Sequence, residues 1–274
     1  MHQESRTDDR QVGCRWLRPL TPGKIIFLVI CVLLVFYFIL LLIMPAVQVR
    51  RLNQQYGMEQ DKGAPKAVIN NDSSIFDLQK RKIFLDSRLK MVRSDSIGMA
   101  INLRDSTVTL EINGIILHRT KIDSYHASKI FRAVRQETYL GMFADPLRIS
   151  SHQATIEKIP LIYRKAPKDS IEAAEYLAEV PDTTLKKPPL MLLTSDHDIL
   201  LYFCPAEELS FHDKLIRLAF STMHELRLHG HYLSSLFHLK MPAYHPGIKI
   251  CITGREIIAL YRALPENAMI ALKL

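Results

Sequence analysis

The sequence predicts an α+β, mainly β domain held behind one N-terminal transmembrane helix, and three stretches predict it. Ile25 to Met44 is a run of twenty residues without a charge, long enough to cross a bilayer core of about 30 Å. From Ser96 apolar residues alternate with polar or small ones at the period of a strand, and Asn113-Gly114 interrupts them with the dipeptide favoured in type I′ turns. From Lys249 to Leu274 the chain reads as strand, helix, turn and strand.

Taken in order, residues 1–23 form a short polar tail, assigned to the cytoplasm. Residues 24–47 hold the apolar run. It exceeds the roughly 7–15 residues of a signal-peptide core, and no Ala-x-Ala-like site follows it cleanly, which favours an uncleaved signal anchor over a cleaved leader. Arg6, Arg10, Arg15, Arg18 and Lys24 precede the helix, while Arg50, Arg51, Lys62 and Lys66 follow it, so charge alone leaves its orientation open. Residues 48–95 read as a polar, Gly- and Pro-containing linker followed by a juxtamembrane helix. Asn71-Asp72-Ser73-Ser74 offers its N-cap, and Ile75, Phe76, Leu78, Ile83, Phe84, Leu85 and Leu89 have helical spacing.

Residues 96–274 are the expected domain. Met99, Ile101 and Leu103, then Val108, Leu110 and Ile112, then Ile115 to Leu117, give a three-stranded meander. Ser124 to Gln136 reads as a helix and Ala154 to Tyr163 as a strand. Lys165 to Pro189 is an insertion with a short helix at Ser170 to Glu179, either a lid or a solvated excursion. Leu190 to Leu193 and Ile199 to Cys204 read as buried strands around a polar turn, Ser195-Asp196-His197-Asp198. Phe211 to Arg227 has helical spacing, which leaves Glu225 to Leu228 as the only room for a strand ahead of His229.

The formal net charge of +8 suits anionic surroundings such as lipid head groups or wall polymers, or simply a solvated basic surface. No Lys/Arg block is interleaved with aromatics, which argues against nucleic acid. No G-x-x-x-x-G-K run occurs, which argues against nucleotide chemistry. Of the four cysteines, Cys14 and Cys31 lie before and within the apolar run; Cys204 and Cys251 are either a disulfide or buried thiols. Five histidines, His224, His229, His231, His238 and His245, fall close together, and His229-x-His231 on a strand would put both rings on one face. No carboxylate or cysteine stands at ligand spacing beside them, so neither metal nor cofactor is expected. Ser234 and Ser235 have no Gly-x-Ser-x-Gly elbow to make either a nucleophile.

His229-Gly230 is followed, fifteen positions after His229, by Tyr244-His245-Pro246-Gly247-Ile248-Lys249, and then by the helix Arg255 to Leu264, the turn Pro265 to Ala268 and the strand Met269 to Leu274. That order resembles the C-terminal part of the L,D-transpeptidase (YkuD) catalytic domain: a His-Gly, a Ser/Thr-His-Gly-Cys-x-Arg loop, a helix, a turn and a last strand. The opening MAINLRDSTVTLEINGIILHRTKI is similar to that domain's first strands as well. The resemblance implies a periplasmic domain on a single-pass inner-membrane protein of a bacterium, and a peptidoglycan stem peptide or an envelope protein as partner. It also makes His229, Gly230, Tyr244, His245, Gly247 and Lys249 the motif-equivalent positions. The departures fall on the chemistry. Gly247 stands where the family has its cysteine, and sliding the alignment by one puts Ile248 there; neither supplies a thiol. The family's thiolate forms a thioester with the stem peptide, and loss of such a nucleophile costs on the order of 10⁶ in turnover, about 8 kcal/mol. Cys251, four residues on in an expected strand, would lie about 13 Å away. The expected function is therefore a catalytically inactive, peptidoglycan-binding or scaffolding pseudoenzyme. An active envelope enzyme with an unrecognised nucleophile or metal, and an assembly module recruited through the helix at Ile75 to Leu89, stand as alternatives.

Overall fold

The computed structural model describes residues 22–57, 73–158, 187–238 and 244–274. The insertion helix expected at Ser170 to Glu179 lies outside the described residues. The chain divides into two compact units, Met1–Met44 and Pro45–Leu274.

Helix α1 (Pro22–Gly57) begins in the first unit and ends in the second. Its apolar portion is long and apolar enough to cross a membrane. In the first unit Ile26, Phe27, Leu33 and Leu42 are exposed, as lipid-facing side chains would be. The polar run Gln48 to Gln55, expected to lead into a linker, is instead helical as far as Gly57. Leu52 and Tyr56 are buried in the core of the second unit, and the Asn53 side-chain oxygen accepts hydrogen bonds from Thr138 Oγ1 (2.7 Å) and the Arg135 amide (3.2 Å). Burial of these two side chains outweighs the polar composition around them.

The second unit is built on a nine-stranded sheet among the described residues. Its strands are β1 (Gly98–Asn102), β2 (Thr107–Ile112), β3 (Ile115–Lys121), β4 (Ser124–Ala127), β5 (Leu147–Ala154), β6 (Met191–Ser195), β7 (Leu200–Pro205), β8 (Gly247–Ile252) and β9 (Met269–Lys273), in the spatial order β3-β2-β1-β9-β5-β6-β7-β8-β4. β1 with β9 and β7 with β8 are parallel pairs, and the remaining neighbours are antiparallel. The two end strands, β3 and β4, are consecutive in the chain with only Ile122 and Asp123 between them. The sheet must therefore curl until its ends meet. The joining residues are paired to both sides, Ile122 N–H to Ser106 O (2.8 Å) and Asp123 N–H to Cys251 O (3.0 Å).

The meander β1 to β3 forms where the alternation places it, and its turn has φ of 49° at Asn113 and 81° at Gly114, as a type I′ turn requires. One face of the sheet supplies the core through Met99 and Ile101, Leu201 and Phe203, Ile248, Ile250 and Ile252, and Ile270 and Leu272. Helix α4 (Gln136–Phe143) adds Tyr139, Leu140, Met142 and Phe143 to this core. Helix α6 (Gly254–Ala263) adds Ile257, Leu260 and Tyr261. The opposite face of β1 and β9 carries the small Ala100 and Ala271, over which helix α2 (Ser73–Val92) lays Phe84 and Met91. At Gly98 a Cβ would stand 2.5 Å from Met91 Cε, the flexible end of that side chain, and 3.1 Å from Met269 O, so a larger residue there would make Met91 shift and press on the Met269 carbonyl.

Three expectations fail against this fold. Ser124 to Gln136 is not one helix: Ser124–Ala127 is β4, paired with β8, and only Ile130–Ala133 forms a turn of helix, α3, before α4. The open edge of β8 needs a partner for its amides and carbonyls, and that ladder outweighs the helical spacing of the segment. Of the strand expected over Ala154 to Tyr163, residues 155–158 are not strand and 159–163 lie outside the described residues; β5 lies upstream and ends at Ala154, with Leu147 and Ile149 reaching the core. No strand occupies Glu225 to Leu228. Helix α5 (Phe211–Phe237) runs through them and through Gly230, its apolar period unbroken, and a mid-helix glycine costs only about 1 kcal/mol.

Candidate functional site

β8 enters the sheet through Tyr244, His245 and Pro246, and at this entry His245, one of the motif-equivalent positions, approaches a polar turn. Two devices fix its geometry. The turn between β6 and β7 is tightened by Ile199 N–H donating to Ser195 Oγ (3.1 Å) and Asp198 N–H to Ser195 O (3.1 Å), with Asp198 at φ 58°. The loop ahead of β8 is then stitched to that turn by Leu200 N–H donating to Pro246 O (2.9 Å). His245 Nδ1 thus stands 3.7 Å from Asp198 Oδ1, an ion-pair separation beyond hydrogen-bond reach. The carboxylate is largely exposed and the imidazole mostly covered. His197, in the same turn, lies with its ring 5.5 Å from that of Tyr56.

The second histidine of the site is His224 on α5. Burial, then the charges of Arg227 and His245, hold its imidazole below the ordinary value, so it is neutral at physiological pH. Neither of its ring nitrogens bonds another described residue. His229, the expected motif histidine, lies five positions further along α5, about 7.5 Å up the helix axis. Its ring packs edge-on against Tyr232 with centroids 5.6 Å apart. Because α5 is a helix, the i, i+2 spacing of His229 and His231 puts the two positions about 200° apart around the axis rather than on one face. Among the described residues no group of three or more His, Cys, Asp or Glu is placed to hold a metal ion.

Of the remaining positions, Gly247 opens β8 and a Cβ there would meet nothing within 4 Å. Gly230 is similarly open. Lys249 is exposed on the outer side of β8, in register with Tyr202 on β7 and His126 on β4. Tyr202 packs against Phe220 of α5 with centroids 6.2 Å apart; burial pushes its phenol up, with Arg217 opposing, so the hydroxyl stays protonated. Cys251 faces Cys204 directly across the parallel β7/β8 pair, Cα to Cα 4.8 Å, and the two form a disulfide. They are the only cysteines after residue 44.

The arrangement pairs an imidazole with a carboxylate beside a neutral second imidazole. That is enough to accept or hand over a proton or to hydrogen-bond a ligand, and it offers no thiolate to attack a carbonyl. The Ser195–Asp198 turn and the five-histidine cluster are both visible in the sequence, but the approach of Asp198 to His245 depends on a β7/β8 register that nothing local encodes.

No known protein-family model, no curated protein and no solved structure matches this chain.

Proposed function

We propose that the chain is a single-pass bacterial inner-membrane protein whose periplasmic unit is an L,D-transpeptidase-like pseudoenzyme, binding a peptidoglycan stem peptide or an envelope protein without transferring it. The carrying observation is the fate of the thiols. Gly247 offers no reactive atom where the resemblance places the nucleophile, and Cys251, the nearest thiol in sequence, is joined to Cys204. A disulfide belongs in an oxidising compartment, which supports placing the unit outside the cytoplasm. His245, with Asp198 beside it, and Lys249 are the groups available to contact a carboxylate or amide of the ligand.

The test is intact-mass analysis of the full chain in detergent after incubation with a carbapenem and, separately, a disaccharide-tetrapeptide, with muropeptide products followed in parallel. No mass increase, unchanged muropeptides and retention of the chain on purified sacculi are expected. A covalent adduct or a new cross-link overturns the reading and identifies a working enzyme.

A second reading, a membrane-anchored assembly module, is favoured by α2, where Leu78, Leu85 and Leu89 are exposed at spacings of seven and four. Leu89→Ser and Leu85→Ser would then abolish recovery of partners from solubilised membranes while leaving sacculus binding intact.

A further inference from the structure

A groove with a volume of about 830 Å³ lies away from His245, between α2 and the outer face of β1 and β9. Its polar lining consists chiefly of four cations, Arg81, Arg88, Arg104 and Lys273, against two carboxylates, Asp77 and Asp105. Two of the cations are already matched: Arg104 pairs with Asp77 at 2.7 Å, and Arg88 with Glu111 at 2.8 Å. Asp105 accepts a hydrogen bond from Asn102 Nδ2 at 2.7 Å. Arg81 and Lys273 have no ion-pair partner among the described residues.

Lys273 lines the groove although only 7% of the residue is exposed: its stem is covered and its ammonium end faces the cavity lining. Its position is fixed by the parallel ladder, where it lies directly beside Asn102 of β1, another lining residue, and its carbonyl accepts the Leu103 amide at 2.9 Å. At neighbouring Lys80 burial lowers the ammonium's pKa; the charge of Asp77 opposes this, and those of Arg104 and Lys273 add to it. With Asp105 counted, the lining still carries more cations than anions, and an arginine fork with an ammonium suits the several oxygens of a phosphate monoester better than a single carboxylate. Leu78, Phe84 and Leu85 form an apolar wall beside the cations.

We infer that this groove is a binding site for a phosphate monoester, the phosphate held between Lys273 and Arg81 and any apolar portion lying on the α2 wall. The inference does not depend on the function proposed above. Calorimetric titration of the full chain in phosphatidylcholine nanodiscs tests it, with inorganic phosphate and dihexanoyl phosphatidic acid as separate probes. Saturable binding is expected, at least tenfold weaker in Arg81→Ala and in Lys273→Met, each first shown to melt cooperatively. Arg81 is exposed, so its variant keeps the test decisive if the Lys273 variant does not fold. At least tenfold preference for phosphatidic acid assigns a lipid phosphate, and equal affinity a free phosphate group. Binding of neither probe to the wild-type chain, or unchanged affinity in either folded variant, overturns the site.

Discussion

Replacing Cys251 by serine removes the bridge to Cys204, and the cost can be worked from the fold. The bridge closes a loop of 47 residues, for which the chain-entropy relation gives about 4 kcal/mol at 25 °C. That is a ceiling, because the parallel β7/β8 pairing already holds Cys204 opposite Cys251 in the folded chain, while the entropy saved belongs to the unfolded one. The expected loss is about 2–4 kcal/mol, a large part of a typical domain's stability. The assay is guanidinium unfolding of the full chain in mild detergent, oxidised and reduced, beside Cys251→Ser. Thiol alkylation of the unreduced, denatured chain should label Cys14 and Cys31 alone, and all four cysteines after reduction. Four labelled thiols without reductant, or a midpoint unmoved by reduction, would refute both the bridge and the argument that Cys251 is withheld from chemistry.

Alanine should act in opposite directions at two glycines: Gly247→Ala should be neutral or up to about 1 kcal/mol stabilising, since a Cβ there meets nothing within 4 Å and the alanine restricts the unfolded chain. Gly98→Ala should cost on the order of 1 kcal/mol by displacing the end of Met91 and crowding the Met269 carbonyl, which a lowered thermal midpoint would register. Arg88→Ala strips a bidentate partner from Glu111, whose side chain is only 6% exposed; with Arg88 itself 29% exposed, a loss of about 2–3 kcal/mol is expected in denaturant titration. His224 titrates below the imidazole's 6.5, so below that pH the unfolded chain binds the proton more readily than the folded one. Stability should fall as pH drops through about 6.5 toward the depressed folded value and level off beneath it, and His224→Gln should flatten that part of the profile measured by thermal melting.

What was legible in the sequence is what local rules encode. The β1 to β3 meander follows from alternation and an Asn-Gly turn whose φ angles are those its residues favour. β6, β7, α6 and β9 likewise follow from apolar period and punctuation. Ser124 to Ala127 was not legible, because what makes it a strand is a partner at residues 248–251, more than a hundred positions away. The end of α1 misled for a related reason: Leu52 and Tyr56 are two apolar residues in a polar stretch, and only the core they enter explains their helix. At the candidate site His245, Gly247 and Lys249 were named from the motif, whereas the companions of His245, Asp198 and His224, come from a turn and a helix that only the folded sheet brings alongside. His229 stands in a helix rather than at the end of a strand, so its equivalence to the family's first histidine rests on spacing alone.

The parallel pairing of β1 with β9 also bears on how the unit is made. Met99 sits opposite Ile270, and every strand from β2 to β8 lies between them in sequence. During synthesis β1 would emerge early and wait, its β9 side unpaired, until some 170 further residues had been made. Such non-local closure slows folding and leaves an apolar strand edge open to other chains meanwhile. The β2/β3 hairpin protects the other edge of β1 from the outset, while α2, which precedes β1 and later lays Phe84 and Met91 across it, emerges first. Order of synthesis thus supplies cover for the strand before its last neighbour arrives.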